Sequence, residues 1–280
     1  MTETDIHNAI ESNVTAALSE DIGAGDLTAQ LIPADRTAHA TLITRQDAVL
    51  CGTPWFEACF KRLDPKIQIR WLAREGAAVA ANSTLCEIDG NARAILSAER
   101  PAMNFLQTLS ATATATRRYA DAIAGTQALI MDTRKTLPGL RIAQKYAVKI
   151  GGGANQRIGL FDGILVKENH IAAAGGIAQV MAAAKKLAPP GVSIQIEVES
   201  LDELRQALDA GATLVLLDNF SVDQMLEAVT LTAGRAQLEA SGGITFDELR
   251  RIAETGVDRI SIGGLTKNVQ AIDLSLRVSC

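Results

Sequence analysis

The chain is poor in the residues that build thiol and metal chemistry. Its 280 residues include three histidines and four cysteines: Cys51, Cys59, Cys86 and Cys280. No two cysteines form a C-x-x-C pair, and no zinc-type spacing joins them to the histidines. That argues against a zinc module or a disulfide scaffold, and so sparse a set fits a reducing compartment. No apolar run approaches the ~18 residues that a membrane span requires. Met1 to Glu20 carries Glu3, Asp5, Glu11 and Glu20 and no apolar signal core, so a cytoplasmic location is expected. Low-complexity segments and short repeats are also missing. The net charge of -5 argues against nucleic acid or an acidic membrane as a partner.

What is present is an ordinary globular composition, 48% hydrophobic and 21% charged, long enough for one large or two ordinary domains. The first half is mixed. Ile6, Ala9, Ile10, Val14 and Leu18 form one stripe, which predicts a helix from Asp5 to Ser19. Thr37 to Ile43 and Ile67 to Trp71 have strand character. Thr53 and Pro54 suggest a helix start with Thr53 as its cap. A long helix is expected from about Ser97 to Ala124, with Glu99 and Pro101 near its start.

The second half is regular. Short apolar runs at 128–131, 164–166, 194–196, 214–217, 238–240 and 260–262 each end in polar residues or glycine. Helical patterns at 177–187, 201–210, 222–231 and 246–254 separate most of them. Such alternation predicts a parallel sheet, in a barrel or part of one; an open doubly wound sheet is the alternative. Both place chemistry at the C-terminal strand ends.

Charge is concentrated there. Residues 134–167 contain Arg134, Lys135, Arg141, Lys145, Lys149, Arg157 and Lys167 against one acid, Asp162. Arg141, Lys145 and Lys149 share one helical face, and a solvated basic face explains those three. It does not explain Arg134, Lys135 and Lys167, which follow strand ends and suit carboxylates or phosphates. Ser241-Gly242-Gly243 and Gly263-Gly264, with Lys267 after them, offer backbone N–H groups to a phosphate, helped by the helix starting near Phe246. Glu197 and Asp218 also stand at strand ends. They either pair with the surrounding lysines or help to hold Mg²⁺, and both roles are compatible. His7 and His39 read as surface residues, whereas His170 follows a strand end within Lys167-Glu168-Asn169-His170.

These residues form a recognisable series. Asp132-Thr-Arg-Lys-Thr-Leu-Pro-Gly-Leu-Arg141, Lys145-Tyr-Ala-Val148, Gly151-Gly-Gly-Ala-Asn-Gln-Arg157 and Lys167-Glu-Asn-His170 resemble the quinolinate phosphoribosyltransferases, and the likeness runs through nearly the whole chain. The resemblance implies an N-terminal α/β sandwich domain (1–115, with the tail 270–280 able to return to it) and a C-terminal incomplete α/β barrel (116–269). It implies a homodimer, or a higher assembly of dimers, with each active site shared across the interface. The implied reaction joins quinolinate to phosphoribosyl pyrophosphate, with Mg²⁺, giving nicotinate mononucleotide, CO₂ and pyrophosphate. Arg134, Arg157 and Lys167 would hold the quinolinate carboxylates, with Gln156 and His170 nearby and Arg100 from the second subunit. Lys135, Glu197 and Asp218 would face ribose, pyrophosphate and metal. Ser241, Gly242, Gly243, Gly263, Gly264 and Lys267 would receive the 5′-phosphate.

Two positions depart from the family pattern. Gln156 and Asn268 stand where histidine is usual, and neither carries a proton or a positive charge. Weaker but not abolished quinolinate binding is therefore expected. The alternatives are a related enzyme with another acceptor such as nicotinate, a non-catalytic ligand-binding paralogue, and an unrelated barrel enzyme with a phosphate site.

Overall fold

The computed structural model describes Met1–Ser279. The chain begins with α1 (Glu3–Ile22), β1 (Thr37–Thr44), β2 (Ala48–Val49), α2 (Thr53–Leu63), β3 (Gln68–Trp71), β4 (Ala78–Val79), β5 (Thr84–Asn91) and α3 (Ala92–Ala122). It continues with β6 (Leu129–Met131), α4 (Arg141–Ile150), β7 (Gly163–Val166), α5 (Glu168–Ala174), α6 (Ile177–Leu187), β8 (Ser193–Val198) and α7 (Leu201–Asp209). The remainder is β9 (Leu214–Asp218), α8 (Val222–Thr232), β10 (Gln237–Ser241), α9 (Leu249–Ala253), β11 (Arg259–Ser261), α10 (Gly264–Lys267) and β12 (Leu274–Ser279). Two units emerge: one of Met1–Arg117, Thr136–Gly152 and the residues from Gly264 onward, the other of Arg118–Lys135 and Gly153–Gly263.

The first unit is built on an antiparallel sheet of order β12-β1-β5-β3. Alternation along β1 buries Ala38, Ala40, Leu42 and Thr44 on one face. That face joins a core with Trp55, Phe56 and Phe60 of α2 and Ile95, Leu106 and Leu109 of α3. Each such fully buried large side chain contributes about 1.5–3 kcal/mol. The last strand returns to the first sheet, pairing Leu274–Ser279 with β1. Buried Cys51, Cys59 and Cys86 are free thiols, and burial pushes Cys59 up to about 12, so it is an inert packing group.

Three local expectations are corrected here. Gly52, not Thr53, is the cap of α2, because the Glu75 carboxylate accepts from the Gly52 and Thr53 N–H groups at 2.7 and 3.1 Å. The long helix begins at Ala92, where Asn91 Oδ1 accepts from Ala94 N, and it runs through Pro101. Lys145 is fully buried, so the Arg141–Lys145–Lys149 series is not a solvated face; Ala143, Gln144, Ala147 and Val148 bury the same helix around it.

The second unit is a six-stranded parallel sheet of order β6-β11-β10-β9-β8-β7. All six strand runs read from the sequence are in it, as an incomplete barrel whose end strands β6 and β7 do not pair with each other among the described residues. Ala154 lies beside β6: its N–H donates to Ile130 O at 2.8 Å and its carbonyl accepts from Asp132 N at 3.1 Å. Arg157 Nη1 then donates to Gly163 O at 2.8 Å, at the start of β7. Residues 154–163 thus connect the two ends of the sheet. The helix expected from Phe246 is shorter, Leu249–Ala253; Phe246 precedes it in a turn, its carbonyl accepting from Leu249 N at 3.3 Å and its ring packed against Arg118 (4.0 Å to the ring centroid) and Tyr119.

Candidate active site

Within the second unit, a cavity of about 250 Å³ opens at the C-terminal strand ends. Residues two apart on a strand share a face, which sets Leu165 with Lys167, and Glu239 with Ser241, toward one space. The cavity is lined by Arg134, Lys135, Arg157 and Lys167 as cations, and by Glu197 and Glu239 as acids. Thr133, Gln156, Ser241 and Ser261 add hydrogen-bonding groups. A larger cavity of about 410 Å³, lined by Gln127, Thr213, Arg235 and Asp258, gathers no such set of cations.

Lys167 and Glu197 form an ion pair across the adjacent ends of β7 and β8. The ammonium lies 3.0 Å from one carboxylate oxygen and 2.7 Å from the other. Glu197 is the more buried partner, 11% exposed against 44% for Lys167. Opposite them, burial and the neighbouring Arg134 guanidinium hold Arg157 below the usual arginine range, with Asp162 opposing. Two neighbouring guanidinium groups lining one cavity suit an anionic ligand. Asp162 fixes the following loop by accepting from Ile158 N and Gly159 N, each at 2.8 Å.

Asp132 anchors the segment that carries Arg157. It is fully buried, and its oxygens accept from Gln156 N at 2.8 Å and Asn155 Nδ2 at 2.7 Å. On the far side, the Gly242 turn (φ 97°) leaves no room for a side chain: a Cβ there would stand 2.2 Å from Asn219 Oδ1. Gly263 lets the Lys135 stem pass, since a Cβ would meet Lys135 Cδ at 3.2 Å. Asp218 ends β9 half-buried, with Oδ2 accepting from Asn219 Nδ2 at 2.9 Å.

Not every residue singled out in the sequence lies here. His170 caps α5, where its Nδ1 accepts from Lys167 N at 3.0 Å, and it does not line the cavity. Arg100 on α3 and Lys267 on α10 are exposed residues of the first unit, to which Gly264 also belongs. Glu239 went unnoticed in the sequence. It is 1% exposed and accepts from the side chains of Gln156, Gln195 (3.0 Å) and Ser261. Its only sequence signal is an acid inside the apolar run Leu238-Glu239-Ala240.

No cluster of three or more histidine, cysteine or carboxylate side chains suited to a metal exists among the described residues. Two separate carboxylates, Glu197 and Asp218, fit a hard cation that takes most of its oxygens from substrate phosphates and water, and they do not form a protein cage. No helix among the described residues is long and apolar enough to cross a membrane.

The geometry agrees with comparisons across the chain. Residues 26–110 match the family model "Quinolinate phosphoribosyl transferase, N-terminal domain", and residues 112–277 match "Quinolinate phosphoribosyl transferase, C-terminal domain". The structure of the nicotinate-nucleotide pyrophosphorylase from Francisella tularensis superposes with a TM-score of 0.94 at 47% identity, covering 97% of this chain and 96% of that one. A probable nicotinate-nucleotide pyrophosphorylase [carboxylating] of Bacillus subtilis is 40% identical, over 93% of this chain and 90% of its own length. A mitochondrial quinolinate phosphoribosyltransferase [decarboxylating] of Nicotiana tabacum is 37% identical over 94% of this chain and 80% of its own. With both halves matched and the strand-end cations gathered in one cavity, the chain belongs to the quinolinate phosphoribosyltransferase family.

Proposed function

We propose that this chain transfers a phosphoribosyl group from phosphoribosyl pyrophosphate to quinolinate, releasing CO₂ and pyrophosphate and yielding nicotinate mononucleotide for NAD biosynthesis. The observation that carries the reading is the convergence of Arg134, Arg157 and Lys167 on one small cavity beside Lys135. Three cations suit two carboxylates on one ring, and a monocarboxylate would leave part of that charge uncompensated.

Arg134 and Arg157 hold the two carboxylates and aim the ring nitrogen at the anomeric carbon. Lys167 joins them by exchanging Glu197 for a substrate carboxylate. Glu197 is then released to face the ribose, where positive charge develops as pyrophosphate departs. Lys135 neutralises the leaving group. Ser241, Gly242, Gly243 and Gly263 receive the 5′-phosphate. Glu197 and Asp218 would be the protein-side carboxylates for Mg²⁺, which when bound would add charge neutralisation on the pyrophosphate. Once ribosylated, the positive ring nitrogen stabilises the electron pair that stays on the adjacent ring carbon as CO₂ departs, and that carbon then takes a proton from water to give nicotinate mononucleotide.

The homodimer belongs to the same proposal. Leu160 and Phe161, 74% and 80% exposed, follow Arg157 in the loop held by Asp162. A second copy covering that loop removes apolar surface from water and brings its Arg100 to the cavity. Free Cys51, Cys59 and Cys86 fit a reducing compartment, which supports a cytoplasmic setting.

Release of CO₂ from carboxyl-labelled quinolinate tests the function. Release that requires quinolinate, phosphoribosyl pyrophosphate and Mg²⁺ together is the expected result. Transfer to nicotinate with no release from quinolinate would overturn it.

A further inference from the structure

Four polar side chains from separate segments meet beneath the cations: Gln156, Gln195 of β8, Glu239 of β10 and Ser261 of β11. Glu239, Gln195 and Ser261 are 1%, 6% and 8% exposed. A carboxylate only accepts, so whatever faces Glu239 must donate. Ser261 Oγ donates to Glu239 Oε1. Gln156 Nε2 and Gln195 Nε2 both donate to Oε2, the latter at 3.0 Å. The second hydrogen of Gln156 Nε2 points to Gln195 Oε1 at 3.3 Å.

An amide has two N–H donors, and here both are committed to the floor of the cavity. A buried carboxylate stripped of a donor is costly, which locks the amide in that orientation. The Gln156 backbone is fixed as well, since its N–H donates to Asp132 Oδ1. Gln156 precedes Arg157 directly, so this two-point attachment sets the starting direction of the Arg157 side chain.

We infer that Gln156 is a positioning residue for acceptor binding: Glu239 and Gln195 hold its amide away from the substrate, and it acts by placing Arg157. This deepens the proposed function and rests on the same cavity. It assigns roles to Glu239 and Gln195, of which Gln195 does not line the cavity at all.

The test is a double-mutant cycle on Gln156→Ala and Glu239→Gln, read by calorimetric binding of phthalate, the benzene analogue of quinolinate. Phthalate probes the cavity without turnover, so the cycle remains readable if CO₂ release fails and the proposed reaction falls. Each single variant is expected to weaken phthalate about tenfold, and the double variant no more than the worse single, because linked groups are non-additive. For the reaction itself the loss falls on KM for quinolinate, with kcat within about twofold. Should Gln156→Ala fail to fold, Gln195→Met replaces it in the cycle and is expected to weaken phthalate in the same direction. Losses that multiply independently, or wild-type affinity in Gln195→Met, would overturn the inference and make Gln156 a direct ligand.

Discussion

The Lys167 ammonium bridges both oxygens of Glu197, at 3.0 and 2.7 Å, where the ends of β7 and β8 meet. The sequence left two roles open for Glu197, pairing with a lysine or helping to hold a metal. The structure shows the pairing. An incoming carboxylate must therefore compete with Glu197 for Lys167, and winning that competition frees the acid for its second role.

Glu197→Gln separates the two roles. Neutralising the acid removes the competitor, so KM for quinolinate is expected to fall about threefold. The same change removes charge from the ribose side, so kcat is expected to fall roughly a hundredfold. Steady-state CO₂ release measures both, and a KM that rises instead contradicts the competition.

Arg134→Ala and Lys167→Ala would each delete one of the charge-assisted contacts proposed for the dianion. The expected loss is about 2–4 kcal/mol, roughly 30- to 900-fold in kcat/KM. Far-UV circular dichroism and the melting temperature should stay near wild type. Near-normal turnover in both variants would contradict the carboxylate assignment.

The two glycines of the Ser241 turn differ in what they require. Gly242→Ala puts a Cβ 2.2 Å from Asn219 Oδ1 and 2.7 Å from Asn219 N, at φ 97°. It is expected to cost about 1–3 kcal/mol of stability and to raise KM for phosphoribosyl pyrophosphate at least tenfold. Gly243→Ala meets nothing within 4 Å at φ 57° and should cost only the ~1 kcal/mol of left-handed backbone. Urea unfolding of the pair, with kinetics, distinguishes a phosphate turn from a plain one.

Asp26, in the first unit, supplies a pH prediction. The Ala29 N–H is the main group holding its carboxyl below the ordinary range; the Ser97 hydroxyl and the Thr28 N–H add to it. A carboxyl lowered on folding stabilises the protein above its unfolded value of ~3.9, and the gain is lost as pH falls through the folded value. Asp26→Asn should therefore be less stable than wild type at pH 7. The gap should narrow below about pH 4, as followed by thermal melts across the acid range.

Much of the second unit was legible because buried parallel strands read as short, nearly continuous apolar runs, and all six did. The cations after them were legible for the same reason: strand ends in such sheets are where ligands sit. Lys145 was not, because the i, i+4 spacing says which residues share a face and not whether that face meets solvent. The cap of α2 was missed because Glu75, far along the chain, supplies it. Glu239 and Gln156 are 83 residues apart in sequence. No local pattern joins them; only the barrel's inward-facing registers do.

Beyond the ligand binding proposed for it, Arg157 has a structural task. Its guanidinium reaches Gly163 O while its segment lies against β6, so it fastens the seam of the open sheet. Mutational routes to a new acceptor are therefore unequal. A change at Lys167 also unpairs Glu197, whereas a change at Arg157 loosens the wall it closes. Selection for another ring acid would be expected to leave Arg157 in place, because its loss opens the sheet's seam as well as altering recognition.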